Sequence, residues 1–128
     1  MLNRSGISKS TYASTKQILA NVELQSSVGC VVPQLLGVEV GTKKIAKAGT
    51  PIKVNLMNRG VVVEKADGTT AMNAVLLHDV DVTAGNANGT ALVFGFVNVN
   101  RVDSDVAQAI TTALSAADAS KLITFMKA

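Results

Sequence analysis

One cluster in this sequence has the residue types of a catalytic or metal site: His78, Asp79 and Asp81, within residues 73–83. Histidine and carboxylate side chains carry protons and bind metal ions. Apolar and polar residues alternate here with a period of two, which predicts a β-strand. On a strand the two aspartates share one face about 7 Å apart, and His78 points to the other face, among valines.

This cluster lacks the partners that its chemistry would need. A metal site requires further ligands, and nucleophilic catalysis requires a nucleophile beside the histidine. We therefore predict that His78 is a core histidine, hydrogen-bonded within the core. Asp79 and Asp81 are predicted to form a solvated face or to contact basic residues of a neighbouring copy.

Other candidate motifs are also incomplete. Gly85–Gly89 has two glycines but lacks the Lys and Ser/Thr of a phosphate-binding loop, and it precedes a strand-like segment. Cys30 is the only cysteine, so no disulfide can form within the chain, and a small buried hydrophobe is expected. The sequence predicts no catalytic residue, no metal site and no cofactor, and a protein that binds and is not an enzyme.

Charge is unevenly distributed along the chain. The formal net charge is +3, yet basic residues concentrate before Glu64 and acidic residues from Glu64 onward. This asymmetry favours a negatively charged partner, or copies packed head to tail. The candidate contacts between copies or with a partner are Lys43, Lys44, Lys47, Asp79 and Asp81.

Length and composition indicate one folded domain. The 128 residues are 48% hydrophobic and 16% charged, enough for a single core. No apolar run approaches the roughly 20 residues that span a bilayer, and the N-terminus lacks the apolar stretch of a signal peptide. We expect a soluble protein made in the cytoplasm, with no membrane partner.

Two segments carry the clearest strand signals. Pro51 opens a segment in which Ile52, Val54 and Leu56 share one face. Residues 90–100 are apolar on both faces as far as the asparagine at position 98, as expected of a central strand.

The end of the chain carries helix signals. Apolar residues recur at helical spacing, which predicts two short helices over about 103–114 and 116–127, the first with Asp103, Ser104 and Asp105 at its start as caps. Residues 29–128 are thus predicted to form one domain, mainly β with C-terminal helices (α+β).

Residues 1–28 differ from the rest by being rich in Ser and Thr with thinly spaced apolar residues. They are predicted to form an extended arm that becomes ordered on a partner. A frayed terminus is the alternative. The arm residues with the chemistry to bind are Leu2, Arg4, Ile7, Lys9, Tyr12, Lys16, Ile18 and Leu19.

Three segments in order resemble a known family. They are Ala48–Ile52 (AGTPI), Val75–Thr83 (VLLHDVDVT) and Leu92–Asn98 (LVFGFVN), the last leading into Arg101 and Val102. Together they span about residues 46–102. This stretch resembles the head decoration, or cement, proteins of tailed bacteriophages, of the lambda type.

The resemblance implies a compact β-barrel or β-tulip-like domain, usually trimeric. Such trimers sit at three-fold and quasi-three-fold positions on the outer surface of the expanded capsid and stabilise it. The implied partners are the major capsid protein and further copies of the chain, and the implied location is the virion. In this family an N-terminal arm orders against capsid subunits, typically by adding a strand to their sheet.

Two other functions stay open. A small β-barrel with a basic arm could bind nucleic acid, and the chain could be a tail or fibre component of a virion. Single-strand binders need aromatic side chains on which bases stack. Tyr12 is the only aromatic residue in the basic half, and the three phenylalanines lie in apolar surroundings or in the apolar stripes of predicted helices. Nucleic acid is therefore not expected to be a partner.

Overall fold

A computed structural model describes residues 17–21 and 25–127. Among them are one α-helix, α1 (Ser104–Leu114), two short 3-10 turns and nine strands. The strands are β1 (Ser26–Val32), β2 (Val38–Val40), β3 (Lys43–Ala46), β4 (Pro51–Lys53), β5 (Glu64–Lys65), β6 (Ala74–Leu76), β7 (Val80–Asp81), β8 (Ala87–Asn98) and β9 (Ile123–Met126). The predicted mainly-β class with helix near the C-terminus is confirmed.

The larger sheet is built around β8, the longest strand, in the order β1-β8-β6-β4-β5. The predicted central strand at 90–100 and the strand opening at Pro51 are both confirmed. The resemblance implied a β-barrel or β-tulip-like domain, and the described strands do not form a closed barrel. An isolated bridge between Val31 and Val62 joins β1 to the segment before β5, and the N–H of Val63 donates to the carbonyl of Val31 at 3.0 Å.

A smaller antiparallel sheet of β2, β3 and β7 packs on one face of the larger one. The core between them contains side chains from both sheets, such as Ile52, Leu76 and Val80. Cys30 lies in this core, as predicted, and burial raises the pKa of its thiol despite a hydrogen bond with the backbone of Gly89.

A second core lies between the other face of the larger sheet and α1. The helix buries Val106, Ile110 and Ala113, which recur at helical spacing. Each large aliphatic side chain buried in this way stabilises the fold by about 1.5–3 kcal/mol. The predicted helix over 103–114 is confirmed. Within the described residues, no helix is long and apolar enough to cross a membrane.

The predicted second helix over 116–127 is wrong. Ile123–Met126 is strand β9, which pairs in parallel with the end of β8, from Gly95↔Ile123 to Asn98↔Met126. β6 pairs with β8 only as far as Leu92, so β8 has an open edge beyond it. The β-branched and aromatic residues of Ile-Thr-Phe suit that edge better than a helix.

The predicted boundary between arm and domain is also corrected. Residues 17–21 lie along β8: the N–H of Ala20 donates to the carbonyl of Phe96 at 2.9 Å, and the N–H of Asn98 donates to the carbonyl of Ile18 at 2.7 Å. Ile18 and Leu19 are 0% and 5% exposed, within the second core. Their predicted contact with a partner is contradicted, because both side chains pack inside their own chain.

The folded body therefore begins earlier than residue 29. β1 starts at Ser26, within the predicted arm, and the segment 17–21 precedes it. The other predicted arm residues lie outside the described residues: Leu2, Arg4, Ile7, Lys9, Tyr12 and Lys16.

Candidate binding surface

Asp79 and Asp81 hold loops of their own chain. The strand predicted across them is interrupted, since β6 ends at Leu76 and β7 begins at Val80. The backbone N–H of Ala48 donates to Oδ1 of Asp79 at 2.7 Å. Asp79 thereby fastens the turn before β4 to the link between β6 and β7.

Asp81 orders the next turn. The backbone N–H of Thr83 donates to Oδ1 of Asp81 at 2.9 Å, and Nζ of Lys43 lies 4.0 Å from Oδ2. Hydrogen bonds from the hydroxyl and N–H of Thr83, with a smaller contribution from Lys43, lower the pKa of Asp81. A contact between either aspartate and a neighbouring copy stays a prediction.

His78 does not assemble a reactive site within the described residues. The residue is only partly buried, and its buried Nδ1 atom has no hydrogen-bond partner there, so the predicted hydrogen bond within the core is not found at Nδ1. No group of three or more His, Cys, Asp or Glu side chains in the described part of the chain could hold a metal ion.

Lys47 joins the turn before β4 to the start of α1. Its Nζ lies 3.1 Å from Oδ2 of Asp103 and 3.2 Å from Oδ2 of Asp105, and its side chain is only 18% exposed. The hydrogen bond with Asp103, followed by the interactions with Asp105, raises the pKa of Lys47 despite its partial burial. We call Lys47, Asp79, Asp103 and Asp105 the Lys47 cluster.

Lys43 and Lys44 lie on the hairpin of β2 and β3. Lys44 is opposite Glu39 in the ladder, and its N–H donates to the hydroxyl of Thr83 at 2.8 Å. The Lys43 side chain is exposed. β2 is the edge strand of the smaller sheet and is exposed along its length. Contacts of Lys43 and Lys44 with the capsid or a neighbouring copy stay a prediction.

Four large apolar side chains form a second surface, where β9 pairs with the end of β8. Phe94 is 40% exposed, Leu122 60% and Met126 38%, and Phe96 is partly buried. Phe94 and Phe96 are two residues apart on β8, so they share one face. Phe96 and Met126, together with Ala20 and Asn21, line a hollow of about 310 Å³. We call Phe94, Phe96, Leu122 and Met126 the aromatic face.

The opposite side of the same strands is buried. Val97, Leu19 and Ile123 belong to the second core, and Phe125 packs against it. Leu19 and Phe125 are the ladder partners of Val97, one on each side, so all three share the inner face. The alternation of the sheet therefore turns the aromatic face outward.

Three exposed cations lie close to the aromatic face in the sequence. Lys121 precedes Leu122, and Lys127 follows Met126. Nη1 of Arg101 donates to the carbonyl of Gln17 at 3.3 Å, at the point where residues 1–16 join the folded body. The sequence next to the aromatic face therefore carries positive charge.

The sequence prediction missed this face. Residues 90–100 were predicted to be a central strand apolar on both sides, with Phe94 and Phe96 in apolar surroundings. The spacing Phe94-Gly95-Phe96 was the available signal, because alternate aromatic residues share one face of a strand. Whether that face is covered depends on which distant segments of the chain pack against it.

A third apolar surface is the loop that follows β4. Leu56 and Met57 are exposed, contrary to the prediction that Leu56 would be buried with Ile52 and Val54. Side-chain oxygens of Asn55 and Asn58 accept hydrogen bonds from backbone N–H groups within the loop and hold its turns. The loop follows β4, which is separated from β8 by β6 in the larger sheet. Leu56 and Met57 therefore belong to a different part of the sheet from the aromatic face.

Comparison with known proteins finds no family model that matches this chain and no curated protein that matches it.

Proposed function

We propose that this protein acts by binding: it attaches to the outer surface of an assembled phage capsid as a trimer and stabilises the expanded shell. Its partners are the major capsid protein and further copies of itself, and its place is the exterior of the virion. The resemblance of residues 46–102 to head decoration proteins supports this proposal. The interactions of Asp79, Asp103 and Asp105 within the chain support a structural role for these carboxylates.

The observation that carries the proposal is the anchored root of the N-terminal segment. Ile18 and Leu19 are core residues, and two backbone hydrogen bonds fasten residues 18–20 to β8. An arm that binds the capsid can retain the folded domain there only if the arm is joined firmly to that domain. Residues 1–16 precede this root, contain three basic residues and no acid, and could reach about 50 Å if extended.

Binding through such an arm has a simple physical basis. An extended segment that adds a strand to a neighbouring sheet forms backbone hydrogen bonds whatever its side chains are. Three arms on one trimer raise the avidity far above that of a single arm. An arm that gains its order on the partner would suit a protein that waits for a mature shell.

Deletion of residues 1–16 tests the proposal. Purified full-length protein should sediment with expanded heads that lack it, and the deletion should abolish this. The deletion stops before Ile18, so the core should keep its melting temperature. A variant with Arg4, Lys9 and Lys16 replaced by Ser retains the length of the arm and separates charge from backbone pairing. Undiminished binding after the deletion would exclude the arm, and no binding by the full-length protein would exclude the function.

A second candidate, a single-stranded nucleic-acid binder, is favoured by one observation. Phe94 is 40% exposed and shares an outward face with Phe96, whereas the sequence had placed the phenylalanines in apolar surroundings. Bases stack on such side chains. Retention of a single-stranded oligonucleotide that falls steeply with salt would support this candidate. No retention at low salt excludes it.

A further inference from the structure

We propose that the aromatic face docks against an acidic, partly apolar surface of the major capsid protein, beside the site that receives the arm. This inference rests on the proposed function and adds a second contact to it. The juxtaposition that carries it is that of the aromatic face with Gln17, where residues 1–16 join the folded body.

Three of the four side chains of the aromatic face are exposed. Phe94, Leu122 and Met126 keep 40%, 60% and 38% of their surface exposed. The inner side of the same strands is already filled by Val97 and Ile123 of the second core. A contiguous exposed apolar group of this kind on a soluble protein marks a surface that binds a partner.

The aromatic face lies beside the segment to which residues 1–16 are joined. Ala20 is hydrogen-bonded to Phe96 and lines the hollow with Met126. Only two residues separate Gln17 from Ala20, so an arm held by the capsid keeps the aromatic face close to the same subunit. Because the two are covalently joined, contact by the face adds to binding at a high effective concentration.

The positive charge next to the aromatic face favours an acidic partner. Arg101, Lys121 and Lys127 are exposed, and residues 87–102 and 119–127 contain no acid. Two copies meeting through this face would bring like charges together, which disfavours self-association. Residues 1–16 are also basic. Arm and face therefore both fit an acidic surface, and exposed aromatic and methionine side chains fit apolar groups on it.

The experiment measures sedimentation of the full-length protein with expanded heads that lack it, over a range of protein concentrations. The variant F94S/M126S should bind at least tenfold more weakly than the wild type, and its melting temperature should change little because both side chains are exposed. The matched control L56S/M57S removes two exposed apolar side chains from the loop after β4 and should bind as the wild type does. K121E should weaken binding, and R59E, an exposed cation elsewhere, should not.

The outcomes separate this inference from the proposed function. If F94S/M126S binds as tightly as the wild type while deletion of residues 1–16 abolishes binding, the inference fails and the function stands. Equal losses in F94S/M126S and L56S/M57S also overturn the inference. If the full-length protein does not bind heads, both fail.

Two further measurements address other occupants of the face. If size-exclusion chromatography shows that F94S/M126S dissociates an oligomer of the wild type, the occupant is a second copy and the inference is wrong. If a single-stranded 20-mer of thymidine binds the wild type, loses binding in F94S/M126S, and head binding is unchanged in that variant, the occupant is nucleic acid.

Discussion

The Lys47 cluster and the aromatic face carry opposite kinds of side chain and have opposite fates. In the Lys47 cluster, charged groups interact within the chain: Lys47 lies between Asp103 and Asp105, and Asp79 accepts from the backbone of Ala48. In the aromatic face, apolar groups that could have entered a core remain exposed, as Phe94 and Met126 do. The charged residues of the Lys47 cluster, which could have formed a reactive site, support the fold. The apolar residues of the aromatic face, which could have formed a core, form a surface.

The difference follows from what each group loses when it lacks a partner. A buried or partly buried polar group left without a hydrogen bond costs about 1–3 kcal/mol, so the fold provides partners for most such groups; within the described residues, Nδ1 of His78 is an exception. An exposed apolar side chain forgoes only the stabilisation that its burial would have brought. Polar clusters are therefore weak indicators of function when their partners lie within the chain, and uncovered apolar groups are stronger ones.

The comparison predicts that substitutions at the root of the arm reduce stability most. Ile18→Ser removes a fully buried side chain from the second core and buries a hydroxyl in its place. It should lower the free energy of unfolding by about 4 kcal/mol. Urea unfolding followed by circular dichroism measures this. A change below about 1 kcal/mol would mean that residues 17–21 are not part of the cooperative fold.

A smaller loss is expected in the Lys47 cluster at Asp79. Asp79→Ala leaves the N–H of the buried Ala48 without its acceptor and should cost about 1–2 kcal/mol. Asp79→Asn keeps an oxygen acceptor and should recover most of that loss. Thermal unfolding of both variants checks the order, and a larger loss for Asn than for Ala would contradict it.

Lys47 should contribute less, in a way that depends on pH. Its raised pKa means that the ion pairs stabilise the fold fully below the ordinary lysine pKa of about 10.4 and that this contribution is lost as pH rises through the higher folded value. Lys47→Met should lower the free energy of unfolding by less than about 1 kcal/mol at pH 8, because Asp103 and Asp105 are half exposed.

The measurement for Lys47 compares urea unfolding of wild type and Lys47→Met at pH 8 and in strongly alkaline solution. The difference between the two proteins should shrink as pH rises. A difference that stays constant would mean that the lysine acts through the packing of its aliphatic stem and not through its charge.

The smallest effect on stability is expected at the aromatic face. Phe94→Ser should change the free energy of unfolding by no more than about 0.5 kcal/mol, as is usual for exposed positions. Phe96→Ser, at the partly buried neighbour on the same face, should cost more. If Phe94→Ser destabilises the protein as much as Asp79→Ala does, then the face contributes to the fold and the contrast between the two regions disappears.

The elements that the sequence predicted correctly are those whose local signals agree with their packing. Pro51 opens a strand, and the helical spacing of Val106, Ile110 and Ala113 produces a helix that buries those residues. The second helix failed because Ile123 and its neighbours met an open strand edge of β8, a partner nearly 30 residues away in the sequence. No local pattern could reveal that edge.

The candidate sites follow the same division. The sequence by itself determined the mainly-β class, the solitary cysteine, the basic N-terminal half and the absence of a complete catalytic motif, because these depend on composition and near-neighbour spacing. Only the tertiary structure decided that Ile18 and Leu19 belong to the core, that Asp79 holds Ala48, and that Phe94 faces outward. Whether a side chain is buried depends on which segments pack together. In this protein those segments are strands that are distant in the sequence.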